Sequence, residues 1–265
     1  MHTYALAKYP TPVLNRPDFS SCFGGEKGDR LLLDDQHLLR AVETILFPLA
    51  SLELLEKMPQ PHIWRARTKE YPSQENLYVD ERFLISVETR PPQRLQMLPS
   101  KECILEHLQE LIGARYIWGG NWPQGIAQLL EWYAPSIAIS NQLQEMWQLK
   151  GVDCSGLLYF ATQGFTPRNT SQLVQWGESL PIGGKGLDAI LDILLPLDLI
   201  VWKGHVIVVF DKTTAVESKA GHGVVTAPLQ ERLDFLLKEK KAVDSYITSE
   251  PAFVINRWLC PYLLD

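Results

Sequence analysis

Cysteine is scarce in this 265-residue chain. Its four cysteines, Cys22, Cys103, Cys154 and Cys260, lie far apart and show no CxxC spacing. That excludes a disulfide framework and a zinc ribbon, and points to reduced thiols. Long apolar runs are missing too. The stretch from Ile190 to Val201 is broken by Asp192, Pro196 and Asp198, whereas a membrane span needs roughly 20 apolar residues. No basic segment followed by an apolar run opens the chain, so no secretory signal is read there. Nor is there an excess of positive charge. A net charge of -6 and a pI near 5.6 argue against sequence-independent binding to nucleic-acid phosphates. The expectation is a soluble, cytoplasmic protein with no membrane span, no metal and no cofactor.

Hydrophobic residues make up 46% of the chain and charged residues 21%, an ordinary globular composition. The length suits one large domain or two small ones. Residues 1–100 carry short alternating runs broken by Pro and Gly, among them Arg30–Leu33, His62–Arg67, Leu77–Val79 and Phe83–Val87. Such runs predict a small barrel or sandwich. Asp34–Leu49 differs: Leu38, Leu39, Val42, Ile45 and Leu46 recur at helical spacing and predict a helix. The segment Glu88–Ser100, with Pro91, Pro92 and Pro99, reads as a linker. Beyond it, Lys101–Ile112 predicts a helix capped by Gly113. Gln124–Leu149 is helix-prone and divided by Pro135, and Cys154–Phe165 predicts another helix. Strands follow at Leu199–Lys203, Val206–Phe210, Thr214–Ser218 and Ala252–Trp258. Helices first and an antiparallel sheet second make residues 101–265 an α+β domain.

Gly151-Val152-Asp153-Cys154-Ser155-Gly156-Leu157 carries the chemistry. Asp153 is a good N-cap, and Cys154 would be the first helical residue. There the positive end of the helix dipole and unpaired N–H groups favour the thiolate, the nucleophilic form. A histidine, His205, starts the apolar run Val206–Phe210, which places it at a sheet edge where it could serve the thiol as base. An orienter for its imidazole must share its face of a hairpin. Side chains alternate along a strand, so Glu217 qualifies if the connecting loop holds an odd number of residues, and His222 if the number is even.

The stretch Tyr116-Ile117-Trp118-Gly119-Gly120, then Asp153-Cys154-Ser155-Gly156-Leu157, then Leu197–Trp202 and Gly204-His205-Val206, resembles the NlpC-type family of cell-wall cysteine peptidases. The resemblance covers about residues 101–265, and residues 1–100 look like the bacterial SH3-like domains that often precede such a domain. It implies a papain-like α+β fold and hydrolysis of γ-D-glutamyl–diamino-acid bonds in peptidoglycan stem peptides. Motif by motif, it makes Cys154 the nucleophile, His205 the base and Glu217 the third polar residue. Tyr116 would help form the oxyanion site, while Asp153 and Ser155 would contact the substrate's amino end. Glu70, Tyr71, Glu75 and Tyr78 are candidates, by chemistry alone, for binding a free substrate amine. The chain departs from the family in carrying Glu at the third position, Leu197-Asp198 where the family has Gly-Asp, and a helical insertion at about 121–150. Arg168 belongs to a partly kept segment that could line the groove or form a surface loop. The substrates implied are small muropeptides with a free N-terminal L-Ala. Action on intact peptidoglycan, or wall binding without catalysis, are the alternatives.

Overall fold

The computed structural model describes residues 3–246 and 250–259; Cys260 lies outside them. The chain packs as two units. One comprises Met1–Gln96 with Arg115–Asp153, the other Met97–Ala114 with Cys154–Asp265. Both contain antiparallel sheets and helices. Among the described residues no helix is long and apolar enough to cross a membrane.

The first unit is built on strands β1 (Thr3–Ala7), β2 (Thr11–Leu14), β3 (Val42–Leu46), β4 (Ser51–Lys57), β5 (Ile63–Arg67), β6 (Leu77–Asp80) and β7 (Leu84–Val87). They form an antiparallel sheet in the order β3-β2-β6-β5-β4-β1-β7. Ala5, Ala7, Leu52, Leu54, Ala66 and Val79 supply one buried cluster. Phe19, Ile45, Ile63 and Phe83 join Leu129 and Trp147 in another, so the short helices Gln128–Trp132 and Asn141–Trp147 contribute to this unit's core. β3 ends the sheet, and a buried amide completes its backbone bonding. Asn121 accepts from Ile45 N at 2.9 Å and donates to Ile45 O at 2.8 Å. Tyr133 donates to the fully buried Asp80 at 2.6 Å, which Arg82 also holds. A buried carboxylate is tolerated because it is paired in this way.

The helix expected over Asp34–Leu49 is not formed. Asp34 accepts from the backbone N–H groups of Gln36 and Leu38 and from Arg40, a turn that competes with helix for those donors. The Val42-Glu43-Thr44-Ile45 sequence then pairs with β2 as a strand, where β-branched residues pack well. The run at Arg30–Leu33 shortens to a two-residue strand, Arg30–Leu31. Glu88–Ser100 contains neither helix nor strand.

The second unit opens with α1 (Lys101–Glu110), capped by Ser100, whose hydroxyl accepts from Cys103 N at 3.2 Å. Ile104 and Leu108 form its buried stripe. Helix α2 (Cys154–Ala161) is buried at every position from Cys154 to Tyr159 and at Ala161, as expected of a helix enclosed on all sides. It packs against α1 and across two strands of the sheet. That sheet contains β8 (Leu199–Trp202), β9 (His205–Val209), β10 (Thr214–Lys219), β11 (Gly223–Pro228) and β12 (Ala252–Arg257), in the order β12-β8-β9-β10-β11. Helices α3 (Leu187–Ile193) and α4 (Leu229–Glu239) pack together, and Ile190, Leu229 and Leu233 share a cluster with Ile207, Phe253 and Ile255. β9 lies between β8 and β10. His205 therefore stands at the end of an inner strand, not on an edge strand.

Candidate active site

Cys154 begins α2, the helix that lies across β9 and β10. Its side chain is 7% exposed. The sulfur is 3.8 Å from the carbonyl oxygen of Gly204, the residue before His205. Lys203 and Gly204 form a two-residue turn, because Trp202 and His205 pair across β8 and β9. Gly204 adopts φ +106°, in the left-handed region where glycine is favoured. Its N–H donates to Thr170 Oγ1 at 2.9 Å, which fixes the turn. A tight hairpin thus brings the start of β9 to the helix end that carries the thiol.

His205 Nε2 lies 2.6 Å from Glu217 Oε2. Five residues separate the paired Val209 and Ala215 (210 to 214, an odd number), and this register puts Glu217 on the face of His205. His222 sits in the next turn, with Nδ1 3.2 Å from Ala220 O. An ionised carboxylate only accepts, so Nε2 carries the proton and Nδ1 keeps its lone pair in the neutral ring. Glu217 is 2% exposed and has a second partner. Arg232 on α4 donates from Nε to Oε1 at 2.7 Å and from Nη2 to Oε2 at 3.1 Å. Burial alone would raise the Glu217 carboxyl, but the hydrogen bonds from His205 and Arg232 outweigh it and lower the pKa to about 2. The carboxylate is held ionised between a guanidinium and an imidazole. The Trp202 ring lies 5.2 Å from the His205 ring.

Arg232 has no counterpart among the residues singled out from sequence. Leu229, Leu233 and Leu236 carry the helical spacing that signals α4, but its link to Glu217 depends on the sheet. Arg168 is not on a surface loop: it is 2% exposed and donates to Ser155 Oγ at 2.9 Å. The other candidates belong to the first unit. Tyr116 is half-buried and Asp153 buried. Glu70 is paired with Arg94 at 3.1 Å, and Tyr71 donates to Glu43 at 2.7 Å. Tyr78, on β6, is half-buried, and Glu75 is exposed. Among the described residues no group of three or more His, Cys, Asp or Glu side chains could hold a metal ion.

No protein-family model and no curated protein matches the sequence. Among solved structures the chain is similar to an NlpC/P60 family protein from Bacillus cereus ATCC 10987, at 16% identity and a TM-score of 0.37. The match covers 98% of this chain and 64% of that one, so this chain spans less than two thirds of the relative's length. It is also similar to NlpC1 from Trichomonas vaginalis, at 13% identity and a TM-score of 0.35, covering 97% of this chain and 69% of the other. A third is RipD from Mycobacterium tuberculosis, described as a non-catalytic NlpC/p60 domain protein adapted to peptidoglycan binding. It shows 16% identity and a TM-score of 0.36, covering 60% of this chain and 97% of the other.

Proposed function

We propose that this chain is a cysteine peptidase that hydrolyses γ-D-glutamyl–diamino-acid bonds in peptidoglycan-derived stem peptides. The observation that carries this reading is the His205–Glu217 hydrogen bond of 2.6 Å at the strand end beside the Cys154 helix. A nucleophile, a base and a group that orients the base are the minimum set for acyl transfer through a thioester. The motif order around Tyr116, Cys154 and His205 supports the same reading and adds the substrate class.

In the proposed cycle the Cys154 thiol gives its proton to His205 Nδ1, and the thiolate attacks the γ-carbonyl of D-Glu. A C–S bond forms and the carbonyl π pair moves to oxygen, where the Cys154 N–H stabilises it. Collapse breaks the C–N bond, and His205 passes the proton to the leaving amine. Water, deprotonated by His205, then attacks the thioester. The C–S bond breaks, releasing the D-Glu γ-carboxylate and the thiolate. Glu217 keeps Nδ1 as the working nitrogen throughout and stabilises the imidazolium.

The proposed substrates are soluble muropeptides such as L-Ala-γ-D-Glu-diaminopimelate, met in the cytoplasm, with Asp153 and Ser155 near the free L-Ala amine. A panel of synthetic stem peptides, each free and N-acetylated, read by mass spectrometry, tests this. Cleavage of the γ bond in free peptides only is expected. Equal cleavage of the acetylated forms removes amine recognition, and an uncut panel removes the substrate class.

A further inference from the structure

The first unit contains a cavity of about 600 Å³ whose lining residues all come from positions 4–93. That volume lies within the roughly 300–1,000 Å³ typical of small-molecule and cofactor sites, room enough for a few residues of a peptide. We propose that this cavity binds an acidic peptide segment, and that it does so independently of the Cys154 chemistry.

The sheet builds its floor. Tyr4 pairs with Glu53, and Glu53 with Arg67, so three side chains stand in a row on one face. Arg65, two residues from Arg67 on β5, points to the same side. The walls are the 68–76 loop and the Arg90–Gln93 segment, and both are tied down. Thr68 donates to Ser51 O at 2.9 Å, and Gln93 donates to Ser51 Oγ at 2.6 Å. The site is therefore formed before a ligand arrives.

Charge selects the ligand. Arg65, Arg67, Lys69 and Arg90 line the cavity against two carboxylates, Glu53 and Glu75. This surplus is local, because the whole chain carries -6. Arg65 is shared with Glu56 at 3.1 Å, and Arg67 stands 4.0 Å from Glu53. Lys69 and Arg90 have no ion pair among the described residues. Two cations thus face one remaining lining carboxylate, Glu75, and the balance left to meet a ligand is positive. The side-chain amides of Gln74, Asn76 and Gln93 suit a peptide backbone, and Leu52, Leu55 and Pro72 supply apolar surface. Glu53 and Glu75 would repel a compact dianion such as phosphate, whereas an extended peptide can keep its carboxylates clear of them.

The test uses the full chain with Cys154→Ala, so that turnover cannot intrude and loss of the proposed peptidase activity would leave the result intact. Isothermal titration compares N-acetyl-Glu-Ala-Leu with N-acetyl-Gln-Ala-Leu-amide. The acidic peptide is expected to bind about tenfold or more tightly, and Lys69→Glu with Arg90→Glu should bring it down to the neutral peptide's level. Both replaced side chains are exposed, so thermal melting should show an intact fold. Equal affinity for the two peptides, or an affinity that charge reversal leaves unchanged, overturns the proposal. Displacement of the peptide by an equal concentration of inorganic phosphate also overturns it, and makes the cavity a simple anion site.

Discussion

Glu217 and His205 meet diagonally across the β9–β10 hairpin, Oε2 to Nε2 at 2.6 Å, and neither is the other's cross-strand partner. Glu217 pairs in register with Val225 on the far side, in β11. Its carboxylate would be costly to bury alone. His205 takes one oxygen, and Arg232 reaches both. The same arrangement that makes the charge tolerable leaves the imidazole with one proton position and one free lone pair.

Glu217→Gln should therefore cost stability in a pH-dependent way. The folded pKa, about 2, lies below the ordinary 4.5. The charged form's contribution is complete above pH 4.5 and is lost as pH falls through 4.5 towards 2. Urea unfolding should show a gap between the wild type and the variant on the order of 3 kcal/mol at neutral pH, closing towards pH 2. A gap that does not change with pH contradicts the assigned ion pair.

Arg232→Gln should raise the Glu217 pKa towards 4.5, so that the acid loss of stability still sets in near pH 4.5 but is smaller, and is complete at a higher pH, than in the wild type. With a stem peptide as substrate, kcat should fall and KM hold, because Arg232 acts through Glu217 and the base. Arg232→Lys should recover part of the loss: it restores the charge without the two-pronged contact. An unchanged acid limb in Arg232→Gln would show that His205 alone holds the carboxylate.

Thiol labelling with iodoacetamide near neutral pH should separate the cysteines. Cys22 is fully buried, and burial, with Asp18 adding, pushes its thiol up to about 12. It should label only on unfolding. Cys103 is partly exposed, with Sγ 3.6 Å from His107 Nε2, and should label slowly. Cys154, at a helix start, should account for the fast phase, which Cys154→Ala removes. A labelling time course that Cys154→Ala leaves unchanged excludes an activated Cys154.

Much of this architecture is legible in the chain. The stripe of Ile104 and Leu108 announces α1, and the helix begins at Cys154, directly after the N-cap residue type Asp153. The unbroken β-branched run from Val206 to Val209 announces β9. Asp34–Leu49 misleads because its apolar spacing fits a helix while Asp34 captures the backbone donors in a turn. Parity narrows the orienter to two residues, but only the five-residue separation of Val209 and Ala215 chooses between Glu217 and His222. Arg232 is hidden for a related reason: nothing local to α4 records which carboxylate the sheet will place beside it.

The Gly119-Gly120 pair is a packing requirement of the first unit. A Cβ on Gly119, at φ +68°, would lie 2.5 Å from Val42 O, and one on Gly120 would lie 2.7 Å from Gly151 O. Gly119→Ala should cost about 1–3 kcal/mol in chemical denaturation, from backbone strain and the clash together. A neutral substitution would mean that β3 yields easily at Val42.

Catalysis by the Cys154 sulfur is tested most directly by incubating L-Ala-γ-D-Glu-diaminopimelate with wild-type protein and with a folded Cys154→Ala variant, and following both by mass. Wild type should release diaminopimelate and L-Ala-D-Glu, and the variant none. Equal release by the two proteins, or an intact tripeptide in both, contradicts the account.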